Sequence, residues 1–354
     1  MGRRVLVGMS GGVDSSICAS LLLNQGYEVE GVTLDLWQEE RGPAFPSSNA
    51  QEDARKVCER LGIRHHMLDV KQLFYNRVVS PFVQEYQAGR TPNPCVMCNK
   101  FVKFGAMADY AWEHNFDAIA TGHYAQVRYD EKTNRTLLCR AAHERKDQSY
   151  VLYNLTQKVL SRLLLPLGAF DKEEVYALAK QAGMEVADKK ESQEICFIPD
   201  KDYVAFLQRN SKETAADGWF LNRAGERIGR HQGIYQYTIG QRKGLGAFGK
   251  PMFVLAINYA DNTIVLGEKG QEFSDGLIAA QPNFILFDEW KGPMRALGKI
   301  RYKAELSPCT VTMETDGRVR VEFDNPQRAP APGQAVVFYQ DDMVIGGATI
   351  EKIF

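Results

Sequence analysis

Ser10-Gly11-Gly12-Val13-Asp14-Ser15 follows directly on the apolar run Val5-Leu6-Val7-Gly8-Met9, and the reading of this junction decides the fold. A short apolar run of this kind reads as a strand, and the glycines behind it as the tight turn that ends it. Gly11 and Gly12 can take positive φ angles and bring backbone amides close to an anion, while Ser10 and Ser15 add hydroxyls. A helix predicted over Val13 to Leu23 would direct its N-terminal dipole at the same anion. The expected ligand is a pyrophosphate group. A plain turn with Asp14 or Ser15 as helix cap is the simpler reading of two glycines, but serines on both sides and the trailing Val-Asp-Ser constrain the run much further. No GxxxxGK[ST] occurs, so this is not the usual P-loop.

Outward from the loop, strand and helix signals alternate. Glu28 to Leu36 reads as a strand, Ala50 to Leu61 as a helix, Arg64 to Val70 as a third strand and Asp117 to Thr121 as a fourth. This is the pattern of an α/β fold with a doubly wound parallel sheet, whose ligands bind at the carboxyl ends of the strands. Leu34 and Gly122 should reach the crevice occupied by the glycine loop. Arg41 to Asn49, with its proline and serines, reads as a disordered loop.

Helical periodicity continues through Lys172 to Gly183 and Asp202 to Arg209, and then the texture changes. From about Gly218 the chain offers short β-rich runs, Met252 to Ile257, Thr263 to Leu266, Val319 to Phe323 and Ala335 to Tyr339, between glycine, proline and Asn/Asp turns. The expected order is therefore a PP-loop nucleotide-binding and catalytic domain over 1–205, a small central domain over 206–270 and a closed β-barrel over 271–354. Gly244-Leu-Gly-Ala-Phe-Gly-Lys250 mimics both GxGxxG and the start of a P-loop. Pro251 and the strand-like MFVLAINY follow it, with no helix to present an N-terminus, so it is read as a turn-rich loop.

The chain has 354 residues, 44% of them hydrophobic, and a formal net charge of -1, which excludes a protein coated with nucleic-acid-binding charge. Local clusters differ from the mean. Arg223, Arg227, Arg230, Arg242, Lys243 and Lys250 face only Glu226, and Lys291, Arg295, Lys299, Arg301 and Lys303 have no acid between them. Two such clusters in one half of a neutral chain point to phosphate contacts. Seven cysteines suit a reducing compartment rather than a disulfide framework. No membrane span and no signal peptide is read, and the expected location is the cytoplasm.

Cys95 and Cys98 stand in TPNPCVMCNK, where a helix is expected to start near Cys98. A thiol at a helix N-terminus beside Lys100 and Lys103 should gain thiolate character and serve as a nucleophile. Cys196, in ESQEICFIP, falls on a loop between helices. Cys18, Cys58, Cys139 and Cys309 sit in apolar surroundings and read as packing. A nucleophile or persulfide pair, three ligands of a [4Fe-4S] cluster and a structural zinc all remain open on spacing alone.

SGGVDSS, GRTPNPCVMCNKFVKFG, ATGHYAQV, KDQSYVL, ESQEICFIPD, HQGIYQYTIGQRKGLG and APGQAVVFY together resemble, in order and over essentially the whole chain, the tRNA-specific 2-thiouridylase family of the PP-loop ATP pyrophosphatase superfamily. The resemblance implies an ATP-dependent tRNA-uridine 2-sulfurtransferase acting on wobble uridine 34 of lysine, glutamate and glutamine tRNAs. It implies ATP at Gly8, Met9, Ser10, Gly11, Gly12, Val13, Asp14, Ser15, Leu34 and Gly122, with Mg2+ on the phosphates. Cys98 matches the nucleophile and Cys196 the persulfide carrier, the two forming a transient disulfide. Asn93, Pro94 and Cys95 match the segment against the target base, and His123, Lys146, Asp147, Gln148, Arg301, Tyr302 and Gln334 match tRNA contacts. A persulfide donor or relay protein is the implied partner. Many members carry aspartate where this chain has Cys95, which puts that residue's acid-base role in doubt and makes a cluster on Cys95, Cys98 and Cys196 more plausible.

Overall fold

The computed structural model describes residues 2–39, 50–184, 195–211 and 216–354. The loop expected over Arg41 to Asn49 and the Glu191–Glu194 part of the Cys196 motif lie outside the described residues. Two compact units emerge. The first comprises 1–78, 95–197 and 341–344, and the second 79–94, 198–340 and 345–354.

The first unit is built on a parallel sheet. Strands β1 (Arg4–Gly8), β2 (Glu28–Asp35), β3 (His65–Asp69) and β4 (Ala118–Ala120) are joined, after the antiparallel hairpin of β5 (Gln126–Asp130) and β6 (Arg135–Cys139), by the two-residue β7 (Leu163–Leu164). Their order is β3-β2-β1-β4-β7, and every pairing is parallel. Val5, Leu6 and Val7 are fully buried, as a strand covered on both faces requires. Helices α1 (Val13–Asn24) and α2 (Ala50–Leu61) begin and end within a residue of expectation. Ile17, Cys18 and Leu22 of α1 join Val5, Val7, Val57 and Ala118 in one core. The strand order reverses between β1 and β4, so the carboxyl ends of these two strands flank the crevice in which such sheets bind ligands. β7 and the β5–β6 hairpin were not legible, being too short or too polar to carry a period.

The second unit holds two β systems. β8 (Gly218–Leu221), β9 (Arg227–His231), β10 (Met252–Asn258) and β11 (Thr263–Glu268) form a sheet in the order β10-β11-β8-β9, packed through Phe220, Val254 and Leu266. β12 (Phe273–Phe284), β13 (Met294–Lys299), β14 (Ser307–Met313), β15 (Val319–Arg328), β16 (Ala335–Gln340) and β17 (Met343–Ile353) run β12-β15-β14-β13-β16-β17, and β12 also pairs with β17. That pairing closes the barrel and leaves no free edge. Leu277, Val311, Val321, Phe338 and Ile350 fill its interior. The expected α/β class with a parallel sheet and a C-terminal barrel is therefore what the chain forms. Gly244, Gly246 and Gly249 all have positive φ in an irregular stretch ahead of β10, in line with its reading as turns.

Candidate active site

The glycine loop leaves β1 at its carboxyl end, where Met9 N donates to Val32 O of β2. Gly11 alone takes positive φ, at +72°; a Cβ there would stand 2.6 Å from Ala50 O and 2.8 Å from Asp53 Cβ. Gly12 is extended, at φ -99°, and serves as N-cap of α1 without any side-chain cap. Of the two glycines expected to permit positive φ, only the first uses it, and the second keeps space clear at the helix end. Ser10 N donates to Ser15 Oγ at 3.2 Å, the two hydroxyls lie 3.2 Å apart, and Ser15 Oγ donates to Gly12 O at 3.0 Å. The serines therefore brace the loop as well as offering donors. Uncapped first-turn amides, two hydroxyls and a backbone without Cβ atoms suit a phosphate chain.

Asp14 is held from two sides. Lys172 Nζ stands 2.6 Å from its Oδ1, and Tyr124 Oη donates to the same oxygen at 2.7 Å. Lys172 follows Asp171, whose carboxylate caps the helix Lys172–Gln181 in a capping box with Glu174. Gly122 packs against the backbone of Asp14: a Cβ on it would approach Asp14 C to 2.7 Å. Leu34 lies half-buried near the carboxyl end of β2. Its neighbour Thr33 donates to Met9 O at 2.9 Å and meets His65 Nε2 at 2.8 Å.

Cys95, Cys98 and Cys196 occupy the same unit. A short helix begins at Pro94, not near Cys98, and passes directly into a π-helical stretch over Asn99–Ala106. Proline is favoured in the first helical turn because it has no N–H to leave unsatisfied. Cys98 thus ends the helix, and the expected activation by an N-terminal dipole is overturned. Burial pushes the Cys98 thiol up to about 12, with Cys196 and Cys95 adding to the rise and Lys103 opposing it. Cys95 and Cys196 are open to solvent, yet the protein crowded around each raises its thiol as well, and Lys103 again opposes. Cys95, Cys98 and Cys196 are not joined in disulfides and are near enough to influence each other's ionisation. Cys18, Cys58, Cys139 and Cys309 are completely buried, but Cys139 does not sit in purely apolar surroundings as expected: its Sγ accepts from Arg128 Nε and Nη2 at 3.3 and 3.0 Å.

The π turn explains why Lys103 is the cation they share. A hydrogen-bonding pattern of i to i+5 widens the turn and brings residue i+5 back toward the face of residue i, so Lys103 returns to the side of Cys98. Lys103 also acts on His123, which burial holds well below its ordinary pKa and which is therefore neutral. Thr121 Oγ1 meets His123 Nδ1 at 2.8 Å, and the His123 ring lies 5.5 Å from that of Phe104. The turn Thr121-Gly122-His123 after β4 thus packs on the phosphate loop through Gly122 and, through His123, feels the charge of the same Lys103 that acts on the cysteines.

The remaining sequence candidates fall in different settings. Asp147 is buried, and its carboxylate accepts from Ala141 N, Ser149 N and Ser149 Oγ. Gln148 Oε1 accepts from Tyr124 N, and Lys146 ends the short helical turn Glu144–Lys146. In the second unit, Arg301 and Tyr302 are exposed between β13 and β14. Asn93 and Pro94 close a strap docked on Gln334, whose Nε2 donates to Thr91 O at 2.8 Å. Sequence reading missed Lys172 and Tyr124. The capping-box spacing of Asp171 and Glu174 could have located the start of Lys172's helix, but no local signal pairs Lys172 with Asp14.

A glycine-rich anion cradle at the strand-order reversal of a parallel sheet, in the same unit as Cys95, Cys98 and Cys196, defines a PP-loop nucleotide-binding enzyme. Profile comparison agrees in three consecutive segments, "tRNA methyl transferase HUP domain" over 3–200, "tRNA methyl transferase PRC-barrel domain" over 204–268 and "Aminomethyltransferase beta-barrel domain" over 274–350. The chain is 47% identical to a protein of Acetivibrio thermocellus named tRNA-specific 2-thiouridylase MnmA, over 99% of both chains, and 46% identical to the one so named in Clostridioides difficile, again over 99% of both. It belongs to the tRNA-specific 2-thiouridylase family. Among solved structures, a 4-thiouridine synthetase–RNA complex with bound ATP overlaps 58% of this chain and 50% of that one at 20% identity and a TM-score of 0.38.

Proposed function

We propose that the protein uses ATP to replace O2 of the wobble uridine, position 34, in lysine, glutamate and glutamine tRNAs with sulfur. The observation that carries this reading is the turn Thr121-Gly122-His123, which packs on Asp14 of the phosphate loop and reaches the field of Lys103 at the cysteines. Activation of an oxygen and delivery of sulfur then need only one substrate atom between them. Methyl transfer, the activity in two profile descriptions, has no use for an ATP-cleaving loop or paired cysteines.

The chemistry follows from the leaving group. Oxide does not leave the C2 carbonyl carbon of uridine, so O2 first attacks the α-phosphorus of ATP and pyrophosphate departs into the loop formed by Gly8 to Ser15. Mg2+ would ride on the phosphates. The base must be turned out of its stack, which an anticodon loop permits at lower cost than a duplex. The terminal sulfur of a Cys196 persulfide then bonds to C2, the C2–O2 bond breaks, and AMP leaves. Cys98 attacks the Cys196 sulfur, which breaks the S–S bond, leaves sulfur on C2 and forms the Cys98–Cys196 disulfide. That disulfide is reduced by an external thiol, and an upstream persulfide carrier reloads Cys196. Lys103 stabilises the Cys98 thiolate at the moment of attack.

Asn93, Pro94 and Cys95 would lie against the target base, and His123, Lys146, Asp147, Gln148, Arg301, Tyr302 and Gln334 near the tRNA. The neutral ring of His123 suits hydrogen bonding to a base, and a buried Asp147 would act by shaping its loop. The division into 1–205, 206–270 and 271–354 is supported by the boundaries of the matched profiles. A second reading rests on Cys95: three thiols close enough to influence one another's ionisation would suit a [4Fe-4S] cluster once deprotonated, and such a cluster would supply a site for sulfide.

The test incubates the protein with ATP, Mg2+, a persulfide donor and unmodified tRNA, and looks for 2-thiouridine by nucleoside mass spectrometry. Product is expected from the wild type and from neither Cys98→Ser nor Cys196→Ser. No product from the wild type, or full activity in both variants, overturns the proposal.

A further inference from the structure

We infer that Gln334 is a positioning residue for the sulfur chemistry, clamping the strap that leads into Cys95 and Cys98 rather than serving only as a contact to RNA. This rests on the function proposed above. Its Nε2 donates to Thr91 O at 2.8 Å and lies 3.5 Å from Pro92 O. Thr91 is also held by its own N–H, which donates to Pro332 O at 2.8 Å, and its hydroxyl lies 3.4 Å from that of Thr238. Gly333 has φ +92°, and a Cβ on it would stand 3.0 Å from the N, C and O atoms of Thr91. Thr91 is thus gripped at its amide and carbonyl by one turn of the barrel, and at its side chain by Thr238.

That turn is itself fixed. Gly333 N donates to Ile350 O, Gln334 N to Ala331 O and Ile350 N to Gln334 O, at 2.8, 3.1 and 2.8 Å. Clamp and strap both lie in the second unit. Pro92 and Pro94 have φ locked by their rings, so the strap transmits the position of Thr91 to the next residues with little slack. Pro94 is the first residue of the helix that ends at Cys98. A nucleophile misplaced by about 1 Å loses on the order of a hundredfold in rate, and the clamp sits where it can prevent that. With its N–H donors committed to the strap, Gln334 has only Oε1 left to offer a nucleic acid.

Gln334→Glu keeps the shape and removes the donors. Gly333→Ala adds no group that could reach RNA but pushes on Thr91. The readouts are the iodoacetamide alkylation rate of Cys95 in the full protein without tRNA, kcat and KM for tRNA, and the melting temperature. Both variants are expected to raise Cys95 alkylation about threefold or more and lower kcat about tenfold, with KM for tRNA within about threefold of wild type. Gln334→Lys, which retains N–H donors, is expected to recover kcat in part. Alkylation at the wild-type rate in both variants overturns the inference, as does a rise in KM at unchanged kcat. Alkylation needs no turnover, so failure of the thiolation assay alone leaves this result readable.

Discussion

Lys172 Nζ and Asp14 Oδ1 lie 2.6 Å apart, with side chains only 12% and 27% exposed, so the first residue of a late helix pins the second residue of α1. Such a partly buried, charge-assisted bond contributes about 1.5–3 kcal/mol. Lys172→Met is therefore expected to raise the KM for ATP by about tenfold or more, because Asp14 would be left to repel the phosphates. Tyr124→Phe removes the weaker partner, at 2.7 Å, and should cost less. Steady-state kinetics of pyrophosphate release checks both, and equal KM values in wild type and Lys172→Met would remove Lys172 from the nucleotide site.

Gly122→Ala tests the other contact on Asp14. Its Cβ would meet three atoms of Asp14 at 2.7–2.9 Å, and two of them are backbone, so the phosphate loop itself must move. Overpacking of this kind costs about 1–3 kcal/mol. The expected outcome is a melting temperature lower by several degrees and ATP affinity reduced at least about tenfold, read by calorimetry. Wild-type affinity would mean that the loop tolerates displacement.

The Cys98 thiol, pushed up to about 12 by burial, should be unreactive at neutral pH. At pH 8 its alkylation is expected to be at least about a hundredfold slower than that of a free cysteine, and to rise about tenfold per pH unit above that. Lys103→Met removes the opposing charge and should slow it further, by about threefold or more. The same shift fixes the sign of a stability effect. Below the unfolded value of 9.0 the thiol is protonated in both states and its burial costs nothing; between about 9 and 12 the unfolded chain loses the proton first, so folding weakens as pH rises. Mass-spectrometric alkylation profiles against pH check the first two statements, and a Cys98 rate like that of free thiol would contradict them.

Cys95 decides between the two sulfur routes. Cys95→Ser is expected to keep a measurable fraction of thiolation, on the order of a tenth or more, if sulfur travels as a persulfide of Cys196. On the cluster route it would lose activity together with iron and acid-labile sulfide. Metal and sulfide analysis of anaerobically purified wild type and Cys95→Ser, beside the nucleoside assay, separates them.

The run from Val5 to Ser15 by itself determined the strand, the cradle and the helix behind it, because a strand-to-helix junction is coded by neighbours in sequence. The same locality made α2 and the strands β2, β3, β10 and β16 legible to within about a residue or two, and the change of texture near Gly218 disclosed the barrel half. Only the tertiary structure decided which of the two glycines turns, since that depends on Ala50 and Asp53 crowding Gly11. It also decided that Lys172 holds Asp14 across more than 150 residues of chain, and that burial rather than a helix dipole governs Cys98. Burial and long-range pairing are set by what folds against a residue, and that information is spread over the whole chain rather than written beside the residue it controls.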